Sequence, residues 1–268
     1  MRPLDDFPLS ARRRIRGVFT DIDDTLTTDG TLTAAAYAAL ERLHEAGFIV
    51  VPITGRPAGW CDHIARMWPV DAVVGENGAF YFRYDEAARK LRKRFLVSET
   101  ERAANRQRLA ALRDRILAAV PGAALASDQL YREADLAIDF REDVPPLADA
   151  EIDRIVAMFG DAGATAKVSS IHVNGWFGRY DKLGMTRILL QECFAIDLDA
   201  QRDEFIFAGD SPNDAPMFAF FPHAVGVANV TAFADRMSAL PAYVTRGRCG
   251  VGFVELADAL IAARSGPP

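Results

Sequence analysis

The chain has 268 residues, 50 % of them hydrophobic and 25 % charged, a globular balance that excludes disordered, collagen-like and low-complexity classes. At about 150 residues per domain, the length fits one large domain or two unequal ones. With 31 Lys and Arg against 37 Asp and Glu, a net charge of −6, the chain lacks the basic excess of a nucleic-acid or anionic-membrane binder.

Near the N-terminus, Arg2, Asp5, Asp6 and the cluster Arg12, Arg13, Arg14 and Arg16 leave no apolar core for an export signal, and the segment reads as a solvated tail before the first strand. No apolar run reaches the ~18 residues that cross a bilayer. Cys61, Cys193 and Cys249 are far apart and form no C-x-x-C, so neither a disulfide framework nor a zinc site is expected, and the expected location is cytoplasmic. Asn229-Val230-Thr231 has the form of a glycosylation sequon and reads as chance in such a setting.

An apolar, β-branched run over 15–20 reads as a buried strand that delivers into Asp21-Ile22-Asp23-Asp24-Thr25. Leu32, Ala36, Leu40 and Leu43 then recur at helical spacing, with Gly47 as the stop. A second buried strand over 48–53 ends at Thr54-Gly55-Arg56-Pro57. Strand, helix and strand with short connections make a βαβ unit, so the two strands lie parallel with their C-terminal ends on one edge. Ligands of such sheets sit at that edge. A helix over 60–67 and a short strand over 72–74 follow, ending at the turn Glu76-Asn77-Gly78.

Beyond residue 82 the texture changes. Between Asp85 and Ile116, Arg and Lys outnumber Asp and Glu; Ser98-x-x-Glu101 is a capping-box signature, and Leu109, Leu112 and Ile116 mark the apolar face of the next helix. Strands over 135–140, 164–168 and 171–177 and a helix carrying Ile152, Ile155 and Phe159 complete an α+β module over 82–178. The alternating pattern then resumes with a helix from Lys182, a strand over 205–208, the turn Gly209-Asp210-Ser211-Pro212-Asn213-Asp214, further strands over 223–228 and 242–245, and a closing helix. The module is therefore an insertion into a core made of 1–81 and 179–268.

Carboxylates at several ends of parallel strands repel one another unless a cation sits among them, and oxygen ligands of this kind suit Mg²⁺. Mg²⁺ held by few carboxylates expects a substrate phosphate as well.

Asp21-x-Asp23-x-Thr25, Thr54 after an apolar strand, Lys182, and Gly209-Asp210-Ser211-x-Asn213-Asp214 resemble, in order and spacing, the four motifs of the haloacid-dehalogenase-like (HAD) phosphohydrolases. The inserted module resembles the C2B cap of the subfamily IIB (Cof-type) sugar-phosphatase branch. The resemblance implies an α/β fold, a doubly wound parallel-sheet core with an inserted α+β cap, and a Mg²⁺-dependent phosphatase of small phosphorylated metabolites such as sugar phosphates. It implies Asp21 as the nucleophile that becomes an aspartyl-phosphate and Asp23 as general acid and base. Thr54, Gly55, Lys182 and Asn213 would bind phosphate, with Asp21, the carbonyl of Asp23, Asp210 and Asp214 toward the metal; Asp214 alternatively orients Lys182. The step of two residues throws Asp21 and Asp23 to one side of a strand. Asp24 stands where the family often has glycine.

For the leaving group, Asn77 and the cap residues His172, Asn174 and Trp176 are candidates, since sugar hydroxyls seek hydrogen bonds and sugar faces stack on rings. Arg89 to Arg94 read as a solvated face, and Cys61 and His63 as helix packing. The expected partner is a small phosphorylated molecule, with no nucleic acid and no membrane, and the chain is expected as monomer or homodimer. Two rival readings are a hexose-phosphate phosphomutase and a catalytically silent phosphosugar-binding protein.

Overall fold

The computed structural model describes residues 1–265. The first part of the core carries β1 (Arg2–Pro3), α1 (Leu9–Arg12), β2 (Gly17–Thr20), the paired short strands β3 (Thr27–Thr28) and β4 (Thr31–Leu32), α2 (Ala34–Glu45), β5 (Ile49–Pro52), α3 (Ala58–Met67), β6 (Val73–Gly75) and a hairpin of β7 (Phe80–Asp85) and β8 (Lys90–Phe95). The inserted unit comprises α4 (Glu99–Ala119), β9 (Ala124–Leu125), β10 (Leu136–Asp139), α5 (Asp149–Asp161), β11 (Thr165–Val168) and β12 (His172–Trp176). The core resumes with α6 (Lys182–Phe194), β13 (Phe205–Gly209), α7 (Ala215–Phe220), β14 (Val225–Gly226), β15 (Tyr243–Val244) and α8 (Cys249–Ser265).

The main sheet has the order β1-β15-β14-β13-β2-β5, every pairing parallel. Its strands β2, β5 and β13 are buried on both faces, which explains their near-continuous apolar sequence. Their alternation divides the core into two layers. Val18, Val50, Ile206 and Ala208 pack with Leu40 and Leu43 of α2 and with Phe253 and Leu256 of α8. Phe19, Val51, Phe205 and Phe207 pack on the other side with Leu189 of α6 and Phe218 of α7.

The N-terminal segment is not a solvated tail. Leu4, Phe7, Ala11 and Ile15 are buried in the first layer and β1 pairs with β15, while Arg14 and Arg16 reach Asp203 and Glu204 at the surface, 3.5 and 3.0 Å away. Charge dominates the composition there and conceals apolar residues spaced three or four apart.

The residue 82 boundary falls within the hairpin. A parallel bridge between Ile53 and Val74 attaches β6 to the main sheet, and β7 and β8 continue from β6 antiparallel. Phe80 and Phe82 belong to the same layer as Cys61 and Ile64 of α3. We therefore divide the chain after Phe95. The basic residues Arg92, Lys93 and Arg94 lie on this hairpin, paired with Asp85, Asp62 and Glu192.

The inserted unit is a four-stranded antiparallel sheet, β11-β12-β10-β9. Leu136, Ile138 and Val173 face its own core with Leu109, Leu112 and Ile116 of α4 and Ile155 and Phe159 of α5. The pleat therefore turns Lys167, Asp139, His172, Asn174 and Trp176 to the opposite face, which closes over the C-terminal edge of the main sheet.

Candidate active site

Asp21 follows β2 directly, and its N–H donates to the Ala208 carbonyl at 2.9 Å, so the ladder with β13 carries it to the sheet edge. The strand β13 ends beside it and presents Asp210. The turn that follows folds back through a capping box at Ser211 and Asp214: Asp214 Oδ2 accepts the N–H groups of Asp210 and Ser211 at 3.1 and 3.3 Å. Gly209 permits this approach, because a Cβ there would lie 2.5 Å from Asp214 Oδ2.

Lys182 opens α6, which Asp181 caps by accepting the Gly184 N–H at 2.7 Å. Gly78, at φ +105°, lets the turn after β6 close on the Asp181 carbonyl, which a Cβ would meet at 2.0 Å. The helix start is thus drawn to the sheet edge, where Lys182 Nζ donates to Asp21 Oδ1 at 2.8 Å and to Asp214 Oδ1 at 2.7 Å. Burial pushes the Asp21 carboxyl up to about 7, opposed by Lys182 and reinforced by Asp214 and Asp23. Burial, with Asp214 and Asp21, also raises Asp210. The Lys182 ammonium, held by the two carboxylates against its own desolvation, titrates above its usual range.

One carboxylate oxygen from each of Asp21, Asp210 and Asp214 lies within 4.8 Å of the others. Three buried carboxylates gathered so closely, with one ammonium among them, fit a hard divalent cation of the Mg²⁺ type. Asn229 holds one of them. Its Nδ2 donates to Asp210 Oδ2 at 3.0 Å and to the Asp24 carbonyl at 2.9 Å, while its Oδ1 accepts the Cys249 N–H. Asp24 has φ +55°, the left-handed conformation that glycine adopts without cost.

The Asp23 carboxylate does not join this group. Arg56 Nε donates to both its oxygens at 3.0 Å and Nη2 to Oδ1 at 2.8 Å. The same Nη2 donates to Glu142 Oε1 of the cap at 2.7 Å, and Glu142 Oε2 lies 2.9 Å from His172 Nε2. His172 and Arg56 overcome the burial of Glu142 and lower its carboxyl to about 2. The Arg56 guanidinium also lies over the Trp60 ring, 4.4 Å from its centroid.

Thr54 is fully buried at the end of β5, its Oγ1 accepting the Arg56 N–H at 3.0 Å. The Gly55 carbonyl accepts from Arg132 of the cap at 2.8 Å. A Cβ at Gly55 would lie 3.1 Å from Asn77 Nδ2 and 3.6 Å from Asn174 Oδ1, so both residues border this loop. Asn174 donates to Asp135 at 3.0 Å, Trp176 stacks on Tyr180, and Asn213 Oδ1 accepts from Ser211 Oγ at 2.7 Å. Cys61 is buried and His63 exposed, away from these contacts.

Arg56, Arg132, Glu142, Glu76 and Asn229 are the residues that sequence reasoning missed. The sequence places Glu76 in a turn, and the structure gives it a further role. Its buried carboxylate accepts N–H groups from Ala58 of the core and from Glu133, Ala134 and Asp135 of the cap, between 2.6 and 3.1 Å. Burial and Asp135 push its carboxyl up to about 8, against Arg132 and these N–H groups. The run Glu76-Asn77-Gly78 that presents it has positive φ at all three residues.

Residues 18–104 match the family of haloacid dehalogenase-like hydrolases. No curated protein matches the chain. Among solved structures, Thermoplasma acidophilum 0175 is similar with a TM-score of 0.69 and 20 % identity, over 92 % of this chain and 98 % of that one. The C-terminal domain of C. albicans trehalose-6-phosphate phosphatase has a TM-score of 0.69 at 14 % identity, covering 95 % of each chain. The sucrose-phosphatase of a Synechocystis species, solved with sucrose and phosphate, has a TM-score of 0.64 at 17 % identity, over 93 % of this chain and 98 % of that one. These likenesses establish a shared α/β fold. The family match covers the segment that carries Asp21, Asp23 and Thr54.

Proposed function

We propose that the protein is a Mg²⁺-dependent phosphatase of small phosphorylated metabolites, in which Asp21 attacks phosphorus and carries the phosphoryl group transiently. The observation that carries this reading is the contact of Lys182 with both Asp21 and Asp214 inside the cluster completed by Asp210. Asp21, Asp210 and Asp214 would hold the cation, which when bound would neutralise charge on the phosphoryl oxygens. Lys182, Thr54 and Asn213 would orient the phosphoryl group, and the enzyme's contribution is then mainly positioning and charge stabilisation. Asp23 would protonate the leaving oxygen and afterwards take a proton from the attacking water. A buried site suits this chemistry, because electrostatic interactions strengthen where water is excluded.

Asn77 Nδ2 and Trp176 Nε1 are buried donors without a partner among the described residues. Buried donors ordinarily find an acceptor. Their presence beside the cap face supports a leaving group rich in hydroxyls, as in a sugar phosphate. Incubating the protein with a panel of phosphorylated sugars and Mg²⁺, with Asp21→Asn as the blank, tests the reading through released phosphate. Isomerised hexose phosphate without released phosphate would instead identify a mutase. No turnover across the panel would favour a binding protein.

A further inference from the structure

A cleft of about 400 Å³ opens between cap and core beside the proposed catalytic centre. Its core wall includes Pro212 and Asn213, which stand between Asp210 and Asp214 in the chain. Its cap wall includes Lys167, directly cross-strand from Asn174, and Arg141, which follows β10. Asp139 accepts the N–H groups of Arg141, Glu142 and Asp143 between 2.7 and 2.8 Å, and this turn sends Glu142 to Arg56 while Arg141 borders the cleft.

The charges in this cleft are unbalanced. Asp149 lies on its wall but is paired with Arg236 of the core at 3.3 Å. Among the described residues, no carboxylate pairs with Arg141 or Lys167. Ser170, with 7 % of its surface exposed, also lines the cleft, and its Oγ is buried without a hydrogen-bond partner. Phe140, Ile152 and Phe233 supply an apolar side. Two free cations and an orphaned buried hydroxyl around an empty volume of ligand size match an anionic group on an organic molecule.

The geometry points to a second-anion subsite: Arg141, Lys167 and Ser170 bind a carboxylate or second phosphate on the leaving group, so that the substrate is a phosphate monoester with a further negative charge. This rests on the phosphatase reading for the identity of the first group and deepens it by naming the substrate class.

The test compares pairs that differ only in the second anion: 6-phosphogluconate against sorbitol 6-phosphate, both open-chain, for a carboxylate, and fructose 1,6-bisphosphate against fructose 6-phosphate for a phosphate. The enzyme is expected to prefer at least one doubly anionic member by about tenfold or more in kcat/KM, mainly through KM. In the variant Arg141→Met with Lys167→Met, the ratio within that pair is expected to fall to about one. Because it is a ratio, loss of folded or active enzyme cancels. A readout without turnover uses Asp21→Asn and calorimetric binding of the same pairs, with the same preference expected and the same loss when Arg141 and Lys167 are also replaced. Equal binding and equal kcat/KM within both pairs would overturn the subsite, as would a preference that survives the double substitution. Preferential binding without phosphate release would instead overturn the phosphatase reading and leave the subsite standing.

Discussion

The guanidinium of Arg56 grips the carboxylate of Asp23 through Nε and Nη2 at 2.8 to 3.0 Å while the same Nη2 holds Glu142 of the cap at 2.7 Å. One cation thus ties the proposed general acid to the closing of the cap. Replacing Arg56 with Ala leaves Asp23 and Glu142 without it, and kcat for p-nitrophenyl phosphate is expected to fall about a hundredfold, the scale of a misplaced catalytic group. Arg56→Lys restores charge without the planar fork and should recover only part of the loss. Steady-state kinetics on the two variants check this; equal kcat in wild type and Arg56→Ala would refute the positioning role.

Lys182 is the only ammonium in contact with Asp21 and Asp214 among the described residues. Lys182→Met leaves buried carboxylates to repel one another, and a cost of about 3 to 5 kcal/mol is expected without added cation. Mg²⁺ should then raise the melting temperature of the variant more than that of wild type, since the cation binds the folded state alone. Thermal unfolding with and without Mg²⁺ reads the difference, and an equal shift in both proteins counts against a cation site at these residues.

The cap latch has a definite pH dependence. The Glu142 carboxyl is lowered from 4.5 to about 2, so its stabilisation is present above pH ~4.5 and is lost as the pH falls through ~2. The side chain keeps 27 % of its surface, and screening reduces the worth of the pairing to about 1 kcal/mol. Wild type and Glu142→Gln should therefore differ in unfolding free energy at pH 6 and converge toward pH 2.

At Gly209 the prediction is steric. An added Cβ would sit 2.5 Å from Asp214 Oδ2 and 2.7 Å from the Phe207 ring. Gly209→Ala must displace Asp214 from the Asp210 and Ser211 N–H groups, with an expected loss of about 1 to 3 kcal/mol. Denaturant unfolding measures it, and phosphate release should fall in parallel.

The parallel core was legible because its central strands β2 and β13 are buried on both faces and end in polar residues, at Thr20-Asp21 and Gly209-Asp210. Those two signals coincide in the local sequence. The Arg56 bridge was not legible, because its partners Asp23, Asp128 and Glu142 are drawn from distant parts of the chain and meet only when the cap closes. Glu76 escaped notice for the same reason, since three of its donors are cap backbone groups and carry no residue-type signal. Asn229 was visible only as a sequon, while its actual contacts are with Asp210 and the Asp24 carbonyl.

The central claim is that Asp21 carries the phosphoryl group. Acid-quenched enzyme taken during turnover of a phosphorylated substrate with Mg²⁺, digested and analysed by mass spectrometry, is expected to show one phosphoryl group on the peptide containing Asp21 and none in Asp21→Asn. Phosphate release at the wild-type rate by Asp21→Asn, or a phosphoryl group on another residue, would contradict the account.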